Sequence, residues 1–532
     1  MATIAAGAIP AVPSIAPKRA HVWRRAVAVL FAVLAFVVAG SFTTRAASPQ
    51  SQLTWGVHVS LAPTWFDPAE MSGIITPYMI LYALHDALVK PMPGEPFAPS
   101  LAKSWSQSDD GLSYEFVLRE GATFHDGTAV TAEDVKFSFE RYRGASNAIL
   151  KERVAAVETP EPRRVVFKLK QPWPDFMTFY TGATAAAWIV PKAYVETVGE
   201  EGFKKAPIGA GPYKFVAFTP GLSLTMQAFH GYWRKQPNVE QLVFRVIPDE
   251  ATRLAALKRG EVDIAYSIRG ELAEEITRSK DLVLKPTVIQ APFWLYFVDQ
   301  WDPKSPWHDQ RVRLAASLAI DYDGINQALT LGHSKITGSI IPLTFEHYWQ
   351  PPPPRYDPVK AKQLLAEAGY GNGFDAGEYT CDTSYANLAE AVLNNLQAIG
   401  IRAKLRPLER AAFYKGYGEK SYKNLIQGAS GAFGNAATRL EAFVVKGGTY
   451  AYGSYPDIDS LFEAQASERD GTKRAVLLEK MQHLVVDRAI YAPLWQLAFL
   501  NGAGPRVGET GLGLIAGHAY SAPYEDVTLA KP

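Results

Sequence analysis

The segment from Asn387 to Leu408, "NLAEAVLNNLQAIGIRAKLRPL", places a helix pattern directly before a strand pattern. Leu388, Val392 and Leu396 recur every four residues and share one face of a helix, which Gly400 then ends. The alternation that follows is typical of a strand, with Ile401, Ala403 and Leu405 between Arg402, Lys404 and Arg406. A helix that leads into a strand without a long connection predicts a crossover unit of an α/β sheet.

Other parts of the chain show the same order of helix and strand without any internal sequence repeat. Residues 247–266, "IPDEATRLAALKRGEVDIAY", combine a helix that Gly260 ends with a following strand. In residues 356–373, Pro358 falls in the first turn of a helix and Gly369 lies just past its end. A chain of 532 residues with 48% apolar residues is large enough for two or more domains.

The first 47 residues have the composition of an export signal. An uncharged apolar run from Ala26 to Gly40 follows a basic flank formed by Lys18, Arg19, Arg24 and Arg25. The run is short for a membrane span, and small and polar residues come after it. We predict that residues 1–47 are a cleaved signal peptide; a permanent anchor with a short cytoplasmic tail is the alternative.

Charge and cysteine content narrow the class of protein further. Residues 1–47 hold five basic and no acidic side chains, so the net charge of +1 becomes −4 without them. A net charge of this sign and size does not indicate a nucleic-acid-binding protein. Cys381 is the only cysteine, and none stands at the end of the apolar run, so we expect no disulfide and no lipid anchor. These features predict a soluble mature protein exported to a periplasm.

The stretch "GATFHDGTAVTAEDVKFSFERYR", residues 121–143, carries a His-Asp pair ahead of a helix. Gly127 permits a turn, and Thr131 with Asp134 three residues later forms a capping box at the helix start. A catalytic role for His125 and Asp126 needs a nucleophile and an orienting group, and the sequence nominates neither. We therefore interpret the stretch as a structural corner.

Six segments together resemble one family. They are, in chain order, "LAPTWFDPAE", "PSLAKSWSQSDDGLSYEFVLREGATFHDGTAVTAEDVKFSFER", "GAGPYKF", "TRLAALKRGEVDIA", "DQRVRLAASLAID" and "YDPVKAKQLLAEAGY". In this order they closely resemble the peptide, nickel and opine family of large periplasmic solute-binding proteins, which deliver ligands to ABC importers. The resemblance runs over nearly the whole mature chain.

The resemblance implies a two-lobed α/β periplasmic-binding-protein fold of type II, with a hinged cleft and an extra subdomain inserted in the first lobe. By analogy, the first lobe spans residues 48–85, 206–295 and 496–532, the inserted subdomain 86–205 and the second lobe 296–495. The implied function is capture of a solute between the lobes and delivery to the transmembrane subunits of an ABC permease. The implied protein is a monomer without cofactor, and it is not an enzyme.

The ligand is less well determined than the family. Peptide-binding members hold the peptide's α-ammonium with an Asp in a loop after a second-lobe strand. Here that loop belongs to "NLIQGASGAFGNAATRLEAF", where Ala429 replaces the family's Trp and Ala432 or Phe433 takes the Asp position. No acid occurs between Lys423 and Glu441. A peptide-like solute, an opine, a sugar and an oligosaccharide all stay open as ligands.

Candidate ligand-binding residues follow from the resemblance and from position in the chain. The family's first-lobe ligand loop matches "EMSGII", and the second-lobe loop presents backbone amides with two side chains. The two strands that cross the hinge, "APFWLYFVDQ" and "APLWQLAF", carry rings suited to stacking on a flat ligand face. The predicted contacts are Met71, Ser72, Gly73, Trp294, Tyr296, Phe433, Asn435, Trp495 and Gln496.

Two other function classes are alternatives to solute binding. Free-metal binding has little support, because the 10 His are scattered without a pair at ligand spacing. A metal held inside an organic chelator stays open as a ligand. An exported hydrolase is the alternative from a different class, but Gly-x-Ser-x-Gly, His-Glu-x-x-His and phosphate-binding Gly-Lys-Ser/Thr motifs are all missing from the sequence.

Overall fold

The computed structural model describes residues 51–71, 76–144, 146–182, 184–431 and 434–530. The predicted signal peptide and the predicted contacts Ser72, Gly73 and Phe433 lie outside these ranges. The chain from Ser51 to Pro532 forms one compact unit. No helix in the described part of the chain is both long and apolar enough to span a membrane.

The described residues contain strands from two to 15 residues long. In chain order they are β1 (Gln52–Val57), β2 (Asp86–Ala87), β3 (Val89–Met92), β4 (Glu95–Pro99), β5 (Ala102–Gln107), β6 (Ser113–Leu118), β7 (Val154–Glu161), β8 (Arg164–Leu169), β9 (Trp188–Ile189), β10 (Tyr213–Thr219), β11 (Ser223–Ala228), β12 (Gln241–Val246), β13 (Ile264–Ile268), β14 (Val283–Phe297), β15 (Lys335–Ile336), β16 (Phe374–Asp382), β17 (Ile401–Leu408), β18 (Leu425–Ala429) and β19 (Tyr491–Ala503).

The helices alternate with these strands through most of the chain. They are α1 (Tyr78–Leu84), α2 (Ala132–Arg141), α3 (Asn147–Arg153), α4 (Lys192–Lys205), α5 (Glu250–Lys258), α6 (Gly270–Arg278), α7 (Gln310–Leu318), α8 (Tyr322–Thr330), α9 (Pro358–Glu367), α10 (Ala386–Ala398), α11 (Arg410–Gly418), α12 (Ala436–Phe443), α13 (Pro456–Ser467) and α14 (Gly471–Asp487).

An 11-stranded sheet organises the molecule in the order β10-β11-β12-β1-β13-β19-β14-β18-β16-β17, with β15 paired to β19. β1 runs parallel to β12 and β13 at one end, and β16 runs parallel to β17 and β18 at the other. Each parallel group has its own crossover helices, and this arrangement gives the two lobes predicted from the sequence. The α10-to-β17 unit and the helix that Gly260 follows are confirmed.

Two long antiparallel strands, β14 and β19, cross from one lobe to the other. Val283 pairs with Ala503 in the first lobe, and Tyr296 pairs with Tyr491 in the second. The pairing shifts register between Val288 and Pro292, where a proline also removes a backbone donor from the ladder. The hinge predicted at residues 295–296 and 495–496 stays a prediction; the irregularity in β14 lies several residues earlier.

The segment inserted in the first lobe builds its own four-stranded sheet, ordered β5-β6-β8-β7, with α2 packed against it. Thr131 accepts a hydrogen bond from the Asp134 N–H, and the Asp134 carboxylate accepts one from the Thr131 N–H, so the predicted capping box is present. Both bonds satisfy backbone donors that the first helical turn leaves free.

His125 joins this inserted segment to the turn that precedes β10. Its Nε2 lies 3.0 Å from the Gly211 carbonyl, and its Nδ1 accepts a hydrogen bond from the Gly209 N–H at 3.1 Å. Gly209 is required because a Cβ there would stand 1.9 Å from the Leu84 carbonyl oxygen. The His125 ring is thus a neutral structural link, as the sequence interpretation proposed.

A buried ion pair fixes the loop after β1 to α2. Asp67 is fully buried and accepts two hydrogen bonds from the Arg141 guanidinium, each 2.7 Å long. We expect Asp67→Asn to lower the free energy of unfolding by about 3 kcal/mol or more, because the buried Arg141 guanidinium then keeps only the exposed Glu200, 3.9 Å away, as a carboxylate neighbour. Thermal denaturation should show this loss, whereas Glu120→Gln, in the exposed Arg163 pair, should change stability by less than about 0.5 kcal/mol.

Three buried histidines make the first lobe sensitive to acid. Burial lowers the pKa of His85 to about 4 and the pKa values of His125 and His518 to about 3, below the ordinary 6.5. Between pH 6.5 and these values the unfolded chain binds protons that the folded chain does not, so stability falls as pH falls. At pH 5 we expect each histidine to cost about 2 kcal/mol.

His518→Phe tests this expectation, because neither ring nitrogen of His518 has a hydrogen-bond partner among the described residues. The variant should match the parent protein at pH 8 and lose about 2 kcal/mol less stability at pH 5. Denaturant unfolding at the two pH values measures the difference. The exposed His230→Gln variant is the control, and an unchanged acid loss in His518→Phe would contradict the expectation.

Candidate functional site

The carboxyl ends of the parallel strands from both lobes meet at one cleft. His58 follows β1, Arg269 follows β13, and Asp382 ends β16. Arg410 comes two residues after the end of β17. In open α/β sheets, ligands bind outside the carboxyl ends of the strands, because loops and helix starts present polar groups there. This edge is therefore the candidate binding site.

The second-lobe wall combines an arginine with two tyrosines. The Arg410 guanidinium donates a 2.7 Å hydrogen bond to Asp382 and lies 4.9 Å from the centre of the Tyr414 ring. Tyr385 packs edge-on against Phe293 of β14, 4.7 Å between ring centres. The Arg410 side chain is 58% exposed although Asp382 beneath it is buried. Arg410 is thus oriented by the protein and still largely exposed.

The first-lobe wall presents an aromatic face with an arginine beside it. The His58 ring stacks on Tyr520 with 6.2 Å between centres, and burial, followed by the charges of Arg253 and Arg269, lowers its pKa to about 4. Burial also raises the pKa of Tyr520 to about 12, with Tyr385 and Arg410 of the opposite lobe as further influences. Groups from both lobes therefore act on one another across the cleft.

A crevice of about 450 Å³ lies beside these two walls and shares Arg269 with the first of them. Its lining comes from both lobes: Glu250, Arg269, Gly270, Glu271, Leu272, Leu329, Thr383, Ser384 and Asn387. Arg269 spans the crevice, with Nη1 3.3 Å from the Ser384 carbonyl oxygen and Nε 3.7 Å from Glu250. Its polar, charged lining suits a hydrophilic solute group better than an apolar one.

A further arginine is buried on the helix that follows β18. Arg439, on α12, is 3% exposed, and its guanidinium stands over the rings of Phe345 and Phe443 at 5.3 and 5.6 Å. Burial lowers its pKa to about 9, and the nearby Tyr414 acts in the opposite direction. This side of the cleft therefore carries positive charge both at its surface and beneath it.

The predicted contacts on β14 lie inside the second lobe. Trp294 is buried between Phe443 and Tyr491, with ring centres 5.0 and 5.9 Å away. Tyr296 stacks on Tyr491 at 4.6 Å and accepts a hydrogen bond from the Tyr452 N–H. Ligand contact at both positions stays a prediction; in this structure their rings form lobe core, and Phe293 has the ring that reaches Tyr385.

The predicted contacts on β19 also have structural partners. Trp495 is 1% exposed, and its Nε1 donates a 3.2 Å hydrogen bond to the Tyr322 carbonyl. Gln496 accepts a hydrogen bond from the Leu343 N–H and donates one to the Ile289 carbonyl. Gln496 therefore ties the hinge strands together, and a ligand role for either residue stays a prediction.

The two predicted loops are only partly described. Met71 is buried in the first-lobe core, while Ser72, Gly73 and Phe433 fall outside the described residues. Asn435 is the N-cap of α12, because its Oδ1 accepts a hydrogen bond from the Thr438 N–H at 3.0 Å. Its Nδ2 donates to Asp175 of the inserted subdomain. Asn435 as a ligand contact stays a prediction as well.

Sequence reasoning missed the residues that the structure brings together in the cleft. His58, Arg269, Tyr385, Arg410 and Tyr520 carry no motif of their own. Four of them, however, follow the carboxyl end of a strand within three residues. A search for polar residues at strand ends would have found these four. Tyr520 belongs to the irregular C-terminal segment and has no such signal.

Comparison with known proteins decides the family. The family model described as "Bacterial extracellular solute-binding proteins, family 5 Middle" matches residues 96–451, well over half of the chain. The chain belongs to this family. The resemblance found in the sequence is thereby confirmed.

Relatives of this family-5 protein bind different solutes. It is 28% identical over 418 residues to the glutathione-binding protein GsiB of Salmonella typhi, covering 74% of this chain and 79% of that protein. DppA of Helicobacter pylori, solved with the peptide STSA, is 25% identical with a TM-score of 0.72, covering 90% of this chain and 98% of that one. MoaA of A. tumefacien R10, solved with mannopinic acid, has a TM-score of 0.70 at 23% identity and covers 90% and 100%.

Membership of the family gives the general function. The protein is an extracytoplasmic solute-binding component of an ABC import system, with the type II two-lobed fold that its solved neighbours share. Its relatives are binding proteins rather than enzymes. The identity of the solute depends on the cleft of this chain.

Trp495 offers a test of core packing against ligand contact. We expect Trp495→Ala to lower the free energy of unfolding by about 3–5 kcal/mol, because it leaves a cavity beside Tyr322. Urea denaturation measures the loss. If Trp495 also contacts the ligand, calorimetry on the folded variant should show that the binding free energy is weaker by more than 1 kcal/mol. Unchanged affinity would assign the ring to the core alone.

Proposed function

We infer that this family-5 protein captures a small organic solute that carries a carboxylate, such as an opine or an acidic peptide. The observation that carries this inference is the arrangement of Arg410 in the cleft. Its guanidinium is held by Asp382, supported by the Tyr414 ring and more than half exposed, two residues after the carboxyl end of β17. A planar guanidinium fixed in this way suits a carboxylate, which it binds through paired hydrogen bonds.

The acidic groups near Arg410 argue against an ordinary peptide ammonium as the main anchor. Asp382 already uses both oxygens, one for Arg410 and one for the Ser384 N–H at 2.9 Å. The loop after β18 contains no acid, and Arg439 is buried on the helix that follows it. An ammonium buried beside these cations without its own carboxylate partner would be unfavourable by several kcal/mol.

Aromatic side chains supply the remaining recognition. Tyr385 from the second lobe and the His58–Tyr520 stack from the first lobe offer flat faces for the apolar part of a solute. A ligand that contacts both walls favours the closed state over the open one, because only contacts unique to closure shift that equilibrium. The relatives named for glutathione and mannopinic acid bind carboxylate-bearing solutes, which supports this inference.

The finer assignments complete the proposal. The chain is exported by cleavage of its signal peptide, works in the periplasm as a monomer, and delivers its solute to the transmembrane subunits of a permease. It leaves the solute chemically unchanged. Recovery of intact ligand after release from the protein separates this function from that of an exported hydrolase, which would convert it.

Arg410→Gln tests the carboxylate contact. For mannopinic acid or glutathione, whichever binds residues 48–532, we expect affinity to fall by about 1.5–3 kcal/mol, roughly 10- to 150-fold. Isothermal calorimetry measures the change, and thermal denaturation without ligand confirms that the variant folds. Arg406→Gln is the matched control, because Arg406 lies on β17 and pairs with the exposed Glu378.

A neutral ligand would contradict the proposal. A thermal-shift panel should include the dipeptide Met-Leu, the amide of each acidic solute and a neutral oligosaccharide. We expect the amides to lose most of the stabilisation that the acids give. Equal binding of acid and amide, or an Arg410→Gln variant with the parent affinity, would show that Arg410 does not select the solute.

A further inference from the structure

Asp175 connects the inserted subdomain to the second lobe. It lies after β8, and its two carboxylate oxygens each stand 2.8 Å from Nη2 of Arg474, which is in the first turn of α14. The Asn435 side-chain amide donates to the same carboxylate. Three side chains from two lobes thus meet at a single charged contact.

The second-lobe groups are oriented before they meet Asp175. Nε of Arg474 donates a 3.0 Å hydrogen bond to Gln465, which is 1% exposed, so the guanidinium is fixed by its own lobe. Asn435 is fixed by the capping bond from Thr438. The Arg474 and Asp175 side chains are only 6% and 14% exposed, so water screens this pair weakly.

Neighbouring contacts show that the inserted subdomain meets the second lobe over a surface and not through a single bond. Arg469 donates to the Asp109 carbonyl in a turn of the inserted subdomain. Burial raises the pKa of Glu441 on α12, and Asp175 and Glu152 add to the rise while Arg153 opposes it. The inserted subdomain therefore lies against α12 and α14 over several residues.

Asp175 also reaches the cleft indirectly. Asn435 is the N-cap of α12, and α12 also carries the buried Arg439. When the lobes are together, the bond from Asp175 to Asn435 therefore adds to the capping bonds that already hold the start of α12. The contact couples closure to the geometry of the second-lobe wall.

We propose that Asp175 is a closure latch: a positioning residue of the inserted subdomain that holds the closed state through Arg474 and Asn435 and raises solute affinity without touching the solute. The part concerning affinity rests on the proposed function, since it requires a solute enclosed between the lobes. The part concerning closure does not. Apparent affinity scales with the population of the binding-competent state, so loss of the latch lowers affinity by the factor by which it depletes the closed form.

Closure can be measured without any ligand. Leu222, at a first-lobe turn, and Val359, on α9, are 63% and 67% exposed and accept cysteine for dye attachment, whereas Cys381 is buried. Single-molecule energy transfer between the dyes then reports open and closed populations. We expect Asp175→Asn and Arg474→Gln each to reduce the closed-to-open ratio about tenfold, and the double variant to match either single variant.

Asp126→Asn is the matched control, because Asp126 is an exposed acid of the same subdomain that bonds only locally, to Thr128. It should leave the populations unchanged. Fully additive effects in the double variant, or parent-like populations in Asp175→Asn, would overturn the latch. Failure of every carboxylate solute to bind would instead overturn the proposed function and leave this closure result standing.

With glutathione or mannopinic acid as the probe, stopped-flow release should be about tenfold faster from Asp175→Asn than from the parent protein. Arg410→Gln should also weaken binding, but through loss of the proposed solute contact and not through the contact of Asp175 with Arg474. Parent-like release from Asp175→Asn would show that the latch has no effect on solute retention and would overturn the affinity part of the proposal.

Discussion

The backbone pairing of β14 with β19 is the constraint on which the rest of the structure depends. These two strands are the central members of the 11-stranded sheet, and each belongs to both lobes. Their ladder is continuous at both ends and irregular near Pro292. A strand pair resists stretching and shear but bends where its hydrogen bonds are interrupted. The fold thus permits the lobes to move while keeping their parallel strands aimed at a common cleft.

This arrangement explains why the cleft residues come from distant parts of the chain. Each parallel strand ends at the same edge, and the residue after its end reaches the solute space. His58 and Arg410 are more than 350 residues apart in sequence, yet both are such strand-end residues. In this structure Tyr385 of the second lobe adds to the rise in the pKa of Tyr520, whose largest cause is burial.

The burial of a polar side chain and of its hydrogen-bond partners distinguishes structural from functional polar groups in this protein. Gln496 and Asn435 looked available for a ligand in the sequence, but their polar atoms, like those of His125, bond to backbone or side chains of the fold. Arg410 is different, because its carboxylate partner is buried while its own side chain is largely exposed. A residue held in place and still open to solvent is better suited to meet a ligand than one whose bonds are all used internally.

The sequence by itself determined the α/β class, the capping box at Thr131, the α10-to-β17 unit and the family. All of these depend on short-range periodicity, caps and motif order, which act between near neighbours in the chain. Neighbouring residues of a strand lie on opposite faces, so Phe293 and Trp294 cannot both meet the cleft. Tertiary structure alone decided that Phe293 packs on Tyr385 and Trp294 on Phe443. It also decided that Asn435 meets Asp175 and that Arg410 bonds to Asp382. Contacts between lobes depend on how two sheets are joined at a hinge, and no local pattern in the sequence records that geometry.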